Sequence, residues 1–337
     1  MKLGQYAVRT DPGRKRRGNE DSYVSRPPLF AIADGMGGAR AGEVASALAA
    51  GALEESGAGL GGEAHVVELI QEANRRVHER ASTDAETSGM GTTITVALIE
   101  DDGTVTMGHV GDSRAYLLRG DRLEQLTDDH SLVAELVRRG ELSPQAAEVH
   151  PQRSVITRAL GTDPDVDVDA FSVTAEPGDV FLICSDGLSD MVDGEQIEAI
   201  VKTHRGDLDA AARALVQAAN RAGGEDNITA ILFELVEGET SGRGEPDEQT
   251  RELSLPIDEE DTLHPEDGVA PPPPATGLEA PAPVDTMVVA PAEIEALTAE
   301  GSPEPPQAGI GRRLLALAVI AALVAVIIVL VWWGLAR

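Results

Sequence analysis

Cysteine is almost missing: Cys184 is the only one among 337 residues. No intramolecular disulfide can form, which fits a reducing compartment. Cys184 lies inside the apolar run 180–184, so it reads as a small buried hydrophobe. A reactive thiol needs an electropositive, accessible setting instead. Basic side chains are also scarce, 27 against 58 acidic, for a formal net charge of −31. That balance argues against a nucleic-acid partner, which would need a basic face. Residues 1–20 are polar and basic and lack the apolar stretch of a secretory leader. No internal repeat is visible.

The acidic excess is uneven. Residues 1–235 carry 22 basic and 40 acidic side chains, whereas residues 236–311 carry 2 and 18. The stretch 237–308 also holds 13 of the 20 prolines, including Pro271 to Pro274, and has no apolar periodicity. Such a composition cannot bury enough apolar surface to offset the entropy of ordering. It reads as an extended, disordered tether with short apolar islands such as 287–289. Then come twenty uncharged residues, 314–333, preceded by Arg312 and Arg313 and ending on Trp332 and Trp333. An all-round apolar segment of that length matches a transmembrane helix. The flanking arginines favour a cytoplasmic N-terminal side. The expected layout is a globular domain over 1–236, an acidic Pro-rich linker over 237–311, a membrane helix over 312–334 and a short tail over 335–337. Thr250 and Thr262, set among acids, are candidate phosphosites.

Within 1–236, apolar and β-branched runs predict strands over 29–33, 92–99, 105–110, 115–118, 180–184 and 228–236, with Asp101-Asp102-Gly103 as a hairpin turn. Helical periodicity appears over 43–54, 64–81, 132–139 (stopped by Gly140) and 208–222. Helices come in blocks and do not alternate strictly with strands, which favours an α+β fold over a doubly wound parallel sheet.

Four aspartates stand in glycine-bounded turns: Asp34, Asp112, Asp186 and Asp226. Three of them follow apolar runs that read as buried strands. A carboxylate in such a place is costly unless a cation or hydrogen bonds compensate it. Hard oxygen donors suit Mg²⁺ or Mn²⁺ and not Zn²⁺. Two such cations can share a carboxylate and lower the pKa of water for in-line attack on phosphorus. The cationic run Arg14-Lys15-Arg16-Arg17 reads as a solvated face or as a phosphate clamp. The adjoining Glu20-Asp21 favours the second, because a guanidinium fork matches phosphate oxygens.

Arg16-Arg17-Gly18-Asn19-Glu20-Asp21, Ala33-Asp34-Gly35-Met36-Gly37-Gly38, Gly91-Thr92-Thr93, Gly111-Asp112-Ser113-Arg114, Ser185-Asp186-Gly187-Leu188-Ser189-Asp190 and Asp226-Asn227 occur in the order found in one family. Over roughly residues 5–236 the chain resembles the metal-dependent serine/threonine protein phosphatases of the PPM, or type 2C, family. His150-Pro151-Gln152-Arg153-Ser154 and Arg158-Ala159-Leu160-Gly161 resemble the flap of bacterial members. The resemblance implies a four-layer sandwich of two antiparallel sheets flanked by helices, and two Mn²⁺ or Mg²⁺ ions. Asp34 would bridge the ions, with the Gly35 carbonyl completing one site and Asp186 and Asp226 holding the other ion. Asp112, with Asp186 or Asp190, would make a third, weaker site. Glu20, Asp21 and Asn227 would act through water or by orienting the ligands, and Arg16 would bind the substrate phosphate.

Some relatives carry a histidine directly after the first Asp-Gly as a proposed general acid. Met36 stands there in this chain, so the leaving group would be protonated by water at the metals or by another residue. His130 is a candidate for that acid, or else a helix-entry histidine, while His109 reads as a packed core residue. The expected activity is hydrolysis of phosphoserine and phosphothreonine in proteins, a Ser/Thr kinase among them, at the inner face of a membrane. A catalytically inactive phosphoprotein-binding domain on a membrane tether is the alternative. A membrane-anchored interaction protein working through its acidic tail is another.

Overall fold

Strands buried on both faces need apolar residues at consecutive positions, and the chain provides three such runs. In the computed structural model, which describes residues 1–37, 41–56, 61–84, 87–238 and 287–288, these runs form β3 (Leu29–Met36), β11 (Asp179–Cys184) and β12 (Ile228–Val236). Alternation along each run divides its side chains between two cores. Phe30 and Ile32 of β3 enter the core between the sheets, whereas Leu29, Ala31 and Ala33 face helices. Phe181 and Ile183 enter the same central core, while Val180, Leu182 and Cys184 face helices on the other side.

One sheet has the order β1-β12-β11-β7-β8, adding β1 (Lys2–Asp11), β7 (Arg114–Arg119) and β8 (Arg122–Gln125). The other has the order β10-β6-β5-β3-β2, adding β2 (Asp21–Arg26), β5 (Ile94–Ile99), β6 (Thr104–Val110) and β10 (Asp169–Thr174), with β4 (Gly91–Thr92) paired to the end of β3. Every pairing in both sheets is antiparallel. Helices α1 (Ala41–Ser56) and α2 (Glu63–Thr83) cover the second sheet. Helices α6 (Gly194–Thr203) and α7 (Leu208–Ala222) cover the first. The layers are therefore helix, sheet, sheet, helix. Phe30 stacks on Phe233 across the two sheets at 4.8 Å, and Phe233 stacks on Phe181 at 5.0 Å.

The remaining short elements lie where sheet gives way to site: α3 (Leu132–Arg138), α4 (Pro144–Glu148), β9 (Val155–Ile156) and α5 (Asp186–Ser189). Expected strand 92–99 breaks at Thr93. Helix α6 was absent from the sequence reading although Asp193 caps it, accepting from the Gln196 N–H. Strand β13 (Met287–Val288) pairs in parallel with β9, inside a stretch expected to be solvated tether. The rest of the tether, Thr250, Thr262 and the expected membrane helix lie outside the described residues.

Candidate active site

Asp34 stands near the end of β3, held by its backbone. Its N–H donates to Thr93 Oγ1 at 3.1 Å, and its carbonyl accepts from the Thr93 N–H at 2.9 Å and from Thr92 Oγ1 at 2.8 Å. The Gly91-Thr92-Thr93 motif thus fixes where this aspartate points. Directly across the β2–β3 pair stands Asp21. Like charges at opposed positions repel, so this is an expensive arrangement. Gly35 follows, and a Cβ there would fall on the backbone of Gly42 in the first turn of α1. Only glycine permits that approach.

Asp186 is the first residue of α5, separated from β11 by Ser185 alone, and Asp190 caps the same turn. Asp112 lies in the turn from β6 to β7. Asp226 directly precedes Asn227 and β12. These carboxylates share one buried field. Burial raises the Asp34 pKa well above the usual carboxylate range, and the charges of Asp21, Asp186, Asp226 and Asp112 raise it further. Burial followed by Asp112, Asp190, Asp226 and Asp21 does the same to Asp186. Asp112 is pushed up to about 7 by burial and then by Asp129 and Asp190. Asp21 is pushed up to about 6, mainly by burial. Asp190 is raised as well, by burial against the pull of Arg114 and Arg153.

Two oxygens in this field, Asp186 Oδ1 and Asp21 Oδ1, are buried with no hydrogen-bond partner. Asp21 Oδ2, in contrast, accepts from Ser185 Oγ at 3.0 Å and from Thr229 Oγ1. Among the described residues no three acidic, His or Cys side chains close into a finished ion cage. Arg16 Nη2 donates to Asp226 Oδ2 at 2.7 Å. The phosphate-binding candidate and a metal-ligand candidate are thus engaged with each other. Asn227 ties the N-terminal loop to β12: its Oδ1 accepts from the Glu20 N–H, and its Nδ2 donates to the Gly18 and Pro12 carbonyls. The Glu20 carbonyl accepts from the Gly35 N–H at 3.2 Å, bringing the two motifs together.

A cleft of about 710 Å³ opens beside Asp112, Asp186 and Asp190, with Arg153 and Ser154 of the flap on its wall. Arg153 reaches toward Asp190 at 4.0 Å and Glu225 at 3.9 Å.

The surroundings of His130 match the second of its two readings, a histidine at the entry to α3. His130 is almost wholly buried, and its Nδ1 accepts from the Gly111 N–H at 3.0 Å. Nδ1 is thereby engaged, and Nε2 lies 3.1 Å from Asp169 Oδ2 and 3.0 Å from Arg158 Nη1. Burial, with Arg158 beside it, lowers its pKa. A histidine held in this way braces the Gly111-Asp112 turn. His109 is the packed residue expected: fully buried, with Nδ1 on Thr95 Oγ1 and its pKa lowered to about 3 by burial. Cys184 is inert, its thiol pushed up to about 12 by burial. The sequence reading gave no role to Arg114 and Asp129, which form a two-bonded pair behind Asp112 at 2.6 and 2.9 Å. Their positions in Gly111-Asp112-Ser113-Arg114 and Asp128-Asp129-His130 were visible, but their pairing was not.

Three kinds of likeness bear on this site. The Protein phosphatase 2C family matches residues 14–228. Serine/threonine phosphatase stp of Listeria innocua is 43% identical over 238 residues, spanning 67% of this chain and 94% of its own. The crystal structure of the Mycobacterium tuberculosis serine/threonine phosphatase PstP/Ppp is 38% identical, with a TM-score of 0.66 over 70% of this chain and all of that one. A PstP catalytic domain solved in complex with 2 manganese ions is 36% identical, with a TM-score of 0.63 over 70% of this chain and 99% of that one.

Proposed function

The chain belongs to the protein phosphatase 2C family, and on that premise we propose how its own residues perform the reaction. It is a protein serine/threonine phosphatase: it hydrolyses phosphoserine and phosphothreonine in proteins, and the reaction depends on Mn²⁺ or Mg²⁺.

The donor set fits hard divalent cations. The orphaned oxygens of Asp186 and Asp21, inside a group of buried carboxylates that repel one another, are the observation that carries this reading. Asp34, the Gly35 carbonyl, Asp186 and Asp226 would hold two ions, and Asp112 with Asp190 a third. When bound, the ions supply Lewis acidity that eases deprotonation of water and neutralises charge on the phosphoryl oxygens. The chain's own residues do the rest. Thr92 and Thr93 fix the Asp34 backbone and so the point from which its carboxylate projects. Asp21 is oriented by Ser185 and Thr229, Asn227 ties Glu20 to the start of β12, and the Gly35 N–H ties it to β3. Arg16, now on Asp226, is the cation placed to bind substrate phosphate once the charge of Asp226 is otherwise balanced. The intact carboxylate set weighs against a catalytically inactive domain. An assay with phosphothreonine peptide, Mn²⁺, Mg²⁺ and chelator tests the assignment. Activity that persists in chelator would overturn it.

The tether and membrane helix remain part of this reading. Among the described residues no helix is long and apolar enough to cross a membrane. What supports an anchor is the uncharged run 314–333 with Arg312 and Arg313 before it. The enzyme would then act on phosphorylated proteins, including a Ser/Thr kinase, within reach of the inner membrane face. Fractionation of the full chain against residues 1–311 tests this: loss of membrane association on truncation is the expected result, and retention would contradict it.

A further inference from the structure

Strand β9 is two residues long and both of its edges are used. On one edge Ile156 bridges Ser131, and the Thr157 N–H donates to the His130 carbonyl at 2.9 Å. Successive residues of a strand turn their N–H and C=O to opposite sides. Ile156 therefore presents its own pair away from His130. On that side lies β13, in parallel register, Met287 opposite Val155 and Val288 opposite Ile156. Fifty residues, 237–286, separate β13 from the end of β12.

The place is as telling as the pairing. Ile156 packs on Met36, directly after Asp34-Gly35, together with Ala159. Arg153, two residues before β9, faces Asp190 and Glu225 on the wall of the cleft. Strand β9 thus adjoins both the Asp34 motif and the wall of the cleft. The occupant is also the part of the tether suited to it. Pro283 and Pro291 bracket a seven-residue stretch, Val284 to Ala290, in which Thr286, Met287, Val288 and Val289 form a β-prone island among prolines and acids.

We propose that the outer edge of β9 is a peptide-docking edge, occupied in cis by residues 287–288 of the tether, and that this strand competes there with the main chain of a phosphorylated protein substrate. Strand addition draws its affinity from main-chain hydrogen bonds, so an edge of this kind accepts extended segments of differing sequence. Docking stands on the strand pairing alone. Competition rests on the phosphatase reading. Joining two segments through a single chain holds one near the other at an effective concentration on the order of millimolar. Even a two-residue strand can then occupy the edge for much of the time, raising the apparent KM for peptide substrates by a small factor without touching kcat.

The test compares the purified full chain with its Met287→Pro variant, since proline has no N–H and fits poorly within a paired strand. Two things are read: amide hydrogen exchange at Ile156, and steady-state hydrolysis of a phosphothreonine peptide and of p-nitrophenyl phosphate. The expected result is several-fold faster exchange at Ile156 in the variant, independent of protein concentration. Peptide KM falls by about 2–5-fold at unchanged kcat, the factor that a millimolar competitor of millimolar affinity produces. Kinetics on p-nitrophenyl phosphate, which has no main chain, stay the same. Equal exchange at Ile156 in the two chains overturns the docking, and exchange that depends on concentration overturns its being in cis. An unchanged peptide KM overturns the competition. If neither protein hydrolyses p-nitrophenyl phosphate, the phosphatase reading has failed while the exchange result still decides the docking.

Discussion

Between the two sheets, each large side chain meets its own kind. Phe30, Phe233 and Phe181 stack in series, and Ile32, Met107, Ile183 and Ile231 fill the space around them. Where β3 and β11 run out, burial continues but the chemistry reverses. Asp21 and Asp112 stand close enough to Asp34 and Asp186 to raise the pKa of both, and Asp21 and Asp186 each keep an oxygen with no hydrogen-bond partner. The first region lowers the free energy of the fold through apolar area removed from water. The second raises it, and a cation would turn that repulsion into binding energy. The difference teaches that the sandwich is the rigid support on which a poorly satisfied group can be kept poised.

The strongest way to break this contrast is Asp186→Asn. Mn²⁺-dependent hydrolysis of a phosphopeptide should fall by at least about 10²–10³-fold, the scale of losing one electrostatic group at a reaction centre. The chelated protein should melt no lower than wild type, because a repelling charge is gone. Activity near wild type would reject the assignment of Asp186. The mirror-image change is Phe233→Ala, which should cost about 3–5 kcal/mol of unfolding free energy in denaturant titrations. Mn²⁺ affinity of the folded protein should hardly move, and a matching loss of affinity would mean that the regions are not separable.

Acidity sharpens the comparison further. Asp21 and Asp112 have folded pKa values raised from the ordinary 3.8 to about 6 and about 7, and Asp34 and Asp186 are also raised. A raised folded pKa means that the folded state holds its proton more tightly than the unfolded one. That contribution is complete below about pH 4 and is lost as pH rises to about 7. In chelator, this group's contribution should therefore make the protein melt higher near pH 5 than near pH 8. Saturating Mn²⁺ should restore the loss at pH 8, by about 2.7 kcal/mol at a hundredfold excess over Kd. Scanning calorimetry with and without chelator reads both. The smallest effect belongs to Arg16→Ala: peptide KM should rise by roughly tenfold with kcat little changed, as for one charged hydrogen bond to substrate. A change confined to kcat would assign Arg16 to the transition state instead.

The sequence announced the strands buried on both faces, because a continuous apolar run such as 228–236 leaves few alternatives, and β12 matches it residue for residue. Strand β1 was hidden: Lys2–Asp11 is an edge strand, half exposed and polar on one side, so its pattern is diluted. The acidic motifs were legible as a set, since each pairs an aspartate with a glycine that the close approach of Gly35 to Gly42, or of Gly187 to Asn227, makes necessary. Their partners were not. The Arg16–Asp226 pair spans 210 positions, and the hydrogen bond between Gly111 and His130 depends on where a turn meets a helix entry. Spacing alone could not separate the two readings of His130, because it does not reveal that a ring nitrogen is already engaged.

The central claim is that the repelling carboxylates at the sandwich end are a site for two hard cations. Crystals of the protein grown with Mn²⁺ and measured at the manganese edge test it most directly. The account predicts two anomalous peaks bounded by Asp34, Asp186 and Asp226, with Arg16 drawn off Asp226. A map with no peak among these side chains, and Arg16 still bonded to Asp226, would contradict it.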